Sequence, residues 1–201
     1  MDRGREFAER VLPCAFGCQK AVFCSNTCML AAQSDPGSHS ALVCSLVSSV
    51  NADGASDETF SALHFLSRVF GLIFAGHVEN DGPSMTRLAA LFSLSEGNSA
   101  VMLQDKSYTD WLKDVYDRFV PPLQHKLCHL PRNFTSQEFL ASISMKDLVN
   151  AYGIRAPLRF GSDSCMIRGT ALYSQAARIN HECLPNVCRC EDFDQITSEN
   201  S

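Results

Sequence analysis

Apolar residues recur at steps of three and four from Phe60 through Leu63, Leu66, Phe70, Ile73 and Phe74, the spacing that lines one face of an α-helix. Ser56 and Asp57 stand just before this stripe as N-cap candidates, and His64 and Arg68 interrupt it little. A second helix is predicted from Ser84 or Thr86 through Leu88, Leu91, Phe92 and Leu94, ending in Glu96-Gly97-Asn98. After Ser107 a third carries Trp111, Leu112, Val115, Tyr116 and Phe119 on one face; Pro121-Pro122, which lack backbone donors, are expected to stop it. Thr135-Ser-Gln-Glu138 reads as a capping box that opens a fourth, bearing Phe139, Leu140, Ile143 and Leu148. Beyond Asn150 the pattern changes to short extended pieces, Ala151-Tyr-Gly-Ile154 and Cys165-Met-Ile167, punctuated by Gly153, Gly161 and Gly169. There is no internal repeat.

Helices thus fill residues 57–149, and the stretch Ser48-Ser-Val-Asn-Ala-Asp-Gly-Ala-Ser-Asp57 before them has linker character. The 201 residues, 45% hydrophobic and 19% charged, suit a folded globular chain rather than a disordered one. A formal charge of −5 is the wrong sign for a protein held to nucleic acid through phosphate neutralisation, so direct nucleic-acid binding is not expected. The charged start Met1-Asp-Arg-Gly-Arg-Glu-Phe7 lacks the apolar stretch of a secretory signal. The most apolar run, Val69 to Ala75, is far short of the roughly 20 residues a bilayer requires and reads as part of a core helix. No membrane association is expected, and the chain is placed in the nucleus or cytoplasm. Five arginines against Asp163 and Glu182 between residues 150 and 190 make a local basic excess, which scattered arginines more often present as a solvated face than as a binding patch.

Ten cysteines change this ordinary picture. In a reducing compartment, clustered cysteines beside a histidine bind metal more often than they pair. Cys14/Cys18 and Cys24/Cys28 form two Cys-x-x-x-Cys pairs, followed by His39 and Cys44, so six candidate ligands fall within 31 residues. Zinc takes four nitrogen or sulfur ligands, and local pairs close the chelate with little loop entropy. Cys24 and Cys28 would share a helix face if the chain turns helical at Ser25. The competing reading is that these are small buried hydrophobes of a cysteine-rich segment. Near the other end lies Asn180-His181-Glu182-Cys183-Leu184-Pro185-Asn186. As residues alone it is a polar turn, and His181 beside Cys183 suggests a metal site or a nucleophile with its base. Partners two residues apart rarely face each other for catalysis, which disfavours a hydrolase.

The N-terminal cluster, with its Phe23-Cys24-Ser25 element, resembles a MYND zinc finger, and Asn180–Asn186 resembles the signature of SET-domain lysine methyltransferases. Gly169 to Ile179 is similar to the strand and turn that lead into that signature, and Val149-Asn-Ala-Tyr-Gly-Ile154 to an earlier core strand. Taken together, the chain resembles the SET-and-MYND lysine methyltransferases, the plant ASH-related histone-lysine methyltransferases among them. The resemblance implies an α+β fold: a MYND-like finger over 1–48, a helical SET insertion over 57–149 and an incomplete SET β-core over 150–201. It implies one zinc on Cys14, Cys18, His39 and Cys44, with Cys24 and Cys28 lacking the pair that would complete a second site. An all-cysteine site from Cys14, Cys18, Cys24 and Cys28 stays open. It further implies S-adenosyl-L-methionine as cofactor, its adenine end held by Asn180 and by His181 mainly through the backbone, with Asn150 as a further contact; Asn150 reads equally as a turn or strand-end residue. Cys183 would join a post-SET zinc with later cysteines, and Asn186 would pin the knotted loop.

The implied reaction is methyl transfer to a protein lysine, histone included. The family's catalytic tyrosine lies in a Tyr-x-x-x-Phe element after the Asn-His motif, whereas the tyrosines here, at 108, 116, 152 and 173, all precede Asn180. Tyr173 reads as core, and no residue is assigned as catalytic. The Gly-x-Gly cofactor loop expected before the finger and the post-SET cysteines are not found either. The expectation is therefore a fragment, a splice form or a truncated gene model, with little activity alone. The alternative is a zinc-dependent protein-interaction module, whose finger takes a peptide partner while the SET remnant is structural; a nonfunctional translated fragment is a third reading.

Overall fold

Helix starts are set by short polar side chains throughout the computed structural model, which describes residues 11–155 and 167–172. Ser25, Ser40, Ser56, Asp81, Asn98 and Ser136 each accept a hydrogen bond from the backbone N–H three residues on, and Asp105 accepts one from Ser107. Each such cap satisfies a donor that the first helical turn leaves unpaired. They open α1 (Asn26–Ser34), α2 (Ala41–Ser49), α3 (Asp57–His77), α4 (Gly82–Phe92), α5 (Ser99–Met102), α6 (Lys106–Leu127) and α7 (Gln137–Asn150), with a 3₁₀ turn over Arg132–Thr135. Two antiparallel strand pairs flank the helices: β1 (Leu12–Pro13) with β2 (Val22–Phe23), and β3 (Ala151–Arg155) with β4 (Ile167–Leu172). The described chain is mostly helical, with two small sheets.

Two expected starts move. Asp81, with Pro83 in the first turn, caps α4 ahead of Ser84; Pro suits that position because its missing N–H has no intrahelical partner there. Ser136 rather than Thr135 caps α7, because the Thr135 hydroxyl turns back to donate to the Arg132 carbonyl at 3.1 Å and closes the 3₁₀ turn.

α3 is the centre of the core. Leu63, Leu66, Phe70 and Ile73 are fully enclosed, and α2, α4, α6 and α7 pack around them. Phe70 meets Phe119 of α6 at a ring separation of 5.1 Å. α3 is long and apolar enough to cross a membrane, but about 67% of its most apolar window is buried against its neighbours. Not every member of the predicted stripes is interior: Phe60 lies partly in solvent, its ring 4.4 Å from that of His64, and Leu148 is exposed.

The expected stop at Pro121-Pro122 is overturned: α6 runs through both prolines to Leu127. Pro122 cannot donate to the Arg118 carbonyl, but the Asn51 N–H does so from outside the helix at 3.2 Å. The Arg118 guanidinium in turn donates to the carbonyls of Asn51 (3.2 Å) and Asp53 (2.9 Å). Buried Leu123 and Leu127 hold the last turns in the core. The segment of linker composition is thereby tied to α6.

α2, which the sequence pattern did not announce, carries Leu46 and, just past its end, Val50 into the same core. Its approach to α3 depends on Gly71. A Cβ there would sit 2.2 Å from the Pro36 carbonyl oxygen and 2.5 Å from Val43 Cγ2. Gly71→Ala should therefore destabilise the protein by about 1–3 kcal/mol, the usual cost of overpacking. Gly82→Ala, where a Cβ meets nothing within 4 Å, should leave stability within roughly 0.5 kcal/mol of the parent, as surface changes away from packed or strained features do. Urea titration of the two variants beside the parent checks the contrast; equal midpoints would refute it.

Candidate metal centre

The β1–β2 hairpin presents the first two ligands. Cys14 donates its backbone N–H to the Ala21 carbonyl at 3.0 Å, and Gly17 donates to the Cys14 carbonyl at 3.0 Å, which folds the connecting loop into a tight turn. Gly17 and Gln19 both have positive φ, at 79° and 57°, the left-handed region that glycine adopts freely and other residues reluctantly. That backbone path brings Cys14 and Cys18 to the same point despite the three residues between them. His39 comes from the turn after α1, its backbone N–H bonded to the Ala32 carbonyl at 2.9 Å and its ring 5.9 Å from that of Phe23. Cys44 lies in the first part of α2 and is buried.

The ligand atoms of Cys14, Cys18, His39 and Cys44 all lie within 4.8 Å of one another. Cys14 and Cys44 sulfurs are 3.7 Å apart, while His39 Nε2 is 3.2 Å from the Cys14 sulfur and 3.4 Å from that of Cys18. A tetrahedral zinc with bonds of about 2.0–2.3 Å needs donor atoms roughly 3.4–3.8 Å apart, so the cluster has the right size. Three thiols and one imidazole are also the right donors for that ion.

The surroundings favour the ligating forms. The backbone N–H groups of Phe16 and Lys20 point at the sulfurs of Cys14 and Cys18 at 3.3 and 3.4 Å, hydrogen bonds that a thiolate accepts better than a thiol. For Cys14, burial works against the charge, but backbone N–H groups of Cys18 and Phe16 and the neighbouring thiols outweigh it and hold the group below its ordinary value. Burial, and then the Arg68 charge, lower His39 and keep its imidazole neutral. Burial pushes the Cys44 thiol up to about 12, with the adjoining Cys14 and Cys18 adding to the effect. A metal must displace that proton, so binding releases protons and weakens on acidification.

The six candidate ligands therefore divide. Cys24 and Cys28 approach each other at 3.3 Å and are exposed, apart from the four-residue group. Ser25 caps α1 as the helical reading of this pair required, with Cys28 in the first turn. Asn150 is buried at the end of α7, where its amide donates to the carbonyls of Lys146 and Ser95, both at 2.8 Å. Those bonds engage both amide hydrogens and leave only Oδ1 for another group. Asn180, His181 and Cys183 lie outside the described residues, as do Cys165, Tyr173 and Asn186.

A second concavity escaped the sequence reading. A cleft of about 530 Å³ lies away from the metal cluster, between α4 and α7, with Phe92, Phe134 and Phe139 among its walls and Lys146, Glu96 and Ser142 as its polar groups. Lys146 is buried and donates to the Leu94 carbonyl at 2.6 Å, and its Nζ stands 3.2 Å from the Glu96 carboxylate. The Ser142 hydroxyl, donating at 2.5 Å, together with the Lys146 charge holds Glu96 below the usual carboxylate range against the opposing effect of burial. Its parts are some 50 residues apart in sequence, so no local spacing could reveal it.

The chain is 25% identical over 191 aligned residues to histone-lysine N-methyltransferase ASHR2 of Arabidopsis thaliana, a match that takes in 92% of this chain. It spans 43% of that relative's length. No family profile and no solved structure matches. The likeness supports a distant, methyltransferase-like relationship.

The purified chain should carry one zinc. Cys14→Ala and Cys44→Ala should each abolish stoichiometric binding, because three-ligand remnants lose most of the chelate, whereas Cys24→Ser with Cys28→Ser should retain it. Native mass spectrometry with elemental analysis reads the count; two zincs per parent chain, or loss of metal in the Cys24/Cys28 variant alone, would contradict the assignment.

Proposed function

We propose that this chain is a zinc-organised part of a SET-and-MYND-type protein-lysine methyltransferase whose substrates are proteins, histones among them. The observation that carries this reading is the match to a histone-lysine N-methyltransferase along 92% of the chain, and the cluster of Cys14, Cys18, His39 and Cys44 agrees with it. In this reading residues 1–48 are the MYND-like finger, 57–149 the helical insertion and 150–201 the incoming part of a SET core, and protein substrates that include histones fit a location in the nucleus or cytoplasm.

The reaction is an in-line displacement at a sulfonium methyl group, which S-adenosylmethionine supplies when bound. The attacking amine has to be neutral, although a free lysine has a pKa of about 10.4, so an enzyme must desolvate it and align it. In this chain Asn180 and the His181 backbone would hold the adenine end of the cofactor, and Asn150 could contribute its remaining oxygen. No residue is assigned to the chemical step, and the chain alone should transfer little methyl. Cys183 would await further cysteines for a second zinc.

The alternative, a zinc-dependent protein-interaction module, draws on the apolar side chains that the hairpin and α1 leave in solvent: Leu12, Phe16, Val22 and Leu30 are all exposed. A contiguous exposed apolar patch is what marks a protein-contact surface, and these side chains are the ones such a patch would use.

Calorimetry separates the two. The first reading expects S-adenosylmethionine to bind the zinc-loaded chain in the micromolar range and Asn180→Ala to weaken that binding at least about tenfold, roughly 1.4 kcal/mol. Absence of any cofactor heat, with peptide binding that disappears on chelation of zinc, would overturn it in favour of the interaction module. Robust methyl transfer to histone by this chain alone would refute the expected low activity.

A further inference from the structure

The walls of the cleft between α4 and α7 come from the helical body: His77 ends α3, Phe92 belongs to α4, Phe134 to the 3₁₀ turn, and Phe139 and Lys146 to α7. No residue of the metal cluster or of the strands takes part. Its volume of about 530 Å³ lies within the roughly 300–1,000 Å³ that small-molecule sites occupy. Contacts between rings order the aromatic wall. Phe139 stands nearly perpendicular to Phe92 (77°, centroids 6.0 Å apart) and to Phe134 (82°, 5.2 Å), and the His77 ring lies 5.0 Å from that of Phe134. Perpendicular rings offer both faces and edges to a further planar ring, which packs well offset-stacked or edge-to-face. Phe92 and Met85 of this wall stand partly in solvent, apolar surface that an occupant would cover.

The polar end of the cleft fixes the charge of what can enter. Lys146 is only 6% exposed, and an ammonium has three N–H groups. The Leu94 carbonyl at 2.6 Å and the Glu96 carboxylate at 3.2 Å take two of them; among the described residues no third acceptor reaches it. The remaining N–H, on the wall of the cleft, rewards a ligand oxygen placed against it. The lysine and glutamate charges cancel, and the carboxylate is further occupied by the Ser142 hydroxyl at 2.5 Å. An entering cation meets Lys146 and an entering anion meets Glu96. Each would shed hydration without gaining an unpaired counter-charge. A neutral ligand avoids both costs.

We propose that this cleft binds a small, uncharged aromatic molecule bearing a carbonyl oxygen, of the aryl carboxamide class, with its ring against Phe92, Phe134 and Phe139 and its carbonyl accepting the free N–H of Lys146. The site stands on the helical body alone, whether or not the chain takes part in methyl transfer.

The test is calorimetry with ligand-observed NMR on the full zinc-loaded chain, using three probes of one shape: 2-naphthamide, 2-naphthoate and 2-naphthylmethylammonium. The amide should bind at roughly millimolar strength or better, as ligands of that size do, and the charged analogues at least about tenfold more weakly. Ala89 is exposed and lines the cleft, so Ala89→Trp fills it from the solvent side and should abolish amide binding while the melting temperature stays near that of the parent. Glu96→Gln keeps the shape and removes the negative charge, so the carboxylate should then bind more tightly than the amide. No amide binding to the parent at millimolar concentration, or amide binding that survives Ala89→Trp, would overturn the site. Equal binding of the three probes to the parent, or a carboxylate that gains nothing from Glu96→Gln, would overturn the ligand class. A peptide with an aromatic side chain that displaces the amide and binds at least about tenfold more tightly would overturn it too, making the occupant a protein segment.

Discussion

Cys44 is the side chain on which the N-terminal region depends. It is buried on α2, and two residues further along the same helix Leu46 is fully enclosed in the helical core. The other three ligands come from segments with almost no core of their own: α1 has no buried residue, and β1 and β2 are two residues each. A hairpin that short is not stable in isolation, and a helix of nine residues is marginal without packing. Bringing Cys14, Cys18 and His39 to Cys44 is what gives residues 11–40 a reason to fold. If zinc binds there, its binding free energy is folding free energy for this region, whereas the helices from α2 onward have apolar burial to rely on.

Contacts around the cluster act in the same direction. The Lys20 ammonium donates to the Val47 carbonyl at 3.2 Å, and Lys126 of α6 donates to Ser45 and Ser49, so cations gather where α2 presents its C-terminal carbonyls. Asp35, in the turn before His39, pairs with Arg87 of α4 at 2.5 Å. That pair is largely solvated and contributes little on its own. Its effect is positional: together with the close approach that Gly71 permits at Pro36, it fixes the turn between α1 and His39 against the helices.

What could be read from the sequence was what depends on neighbours along the chain. The stripe from Leu63 to Ile73 faces the core because helical period alone decides it, and Ser56 caps α3 by the same local logic. Six candidate ligands were visible because chelate pairs are local. Spacing alone did not choose four among them; the resemblance implied Cys14, Cys18, His39 and Cys44, the four that the structure brings together, while the separation of Cys24 and Cys28 from Cys14 follows from the hairpin and from Ser25 capping α1. α6 passing through Pro121-Pro122 was illegible for a related reason: the donor that replaces the lost one is Asn51, far away in sequence. α2 went unseen because Ala41 to Ser49 mixes small polar residues into its apolar positions, and its burial is conferred by α3.

The same division governs the exit into β3. Asn150 could be read as a cofactor contact or as a residue at an element boundary. The structure puts it at the boundary, its amide joining the Lys146 and Ser95 carbonyls as α7 gives way to Ala151. Lys146, one turn earlier, is bonded to the Leu94 carbonyl and paired with Glu96. Burying that ammonium is tolerable only because both partners are present. Two successive buried polar groups of α7 thus grip the loop between α4 and α5 at the point where β3 leaves the helix. In a methyltransferase of the proposed kind the strands after α7 would carry the cofactor, so the placement of that site would rest on contacts with α7 rather than on the metal. The cysteine cluster and the strand segment are thus anchored separately to one helical core, the first through Cys44 on α2 and the second through α7.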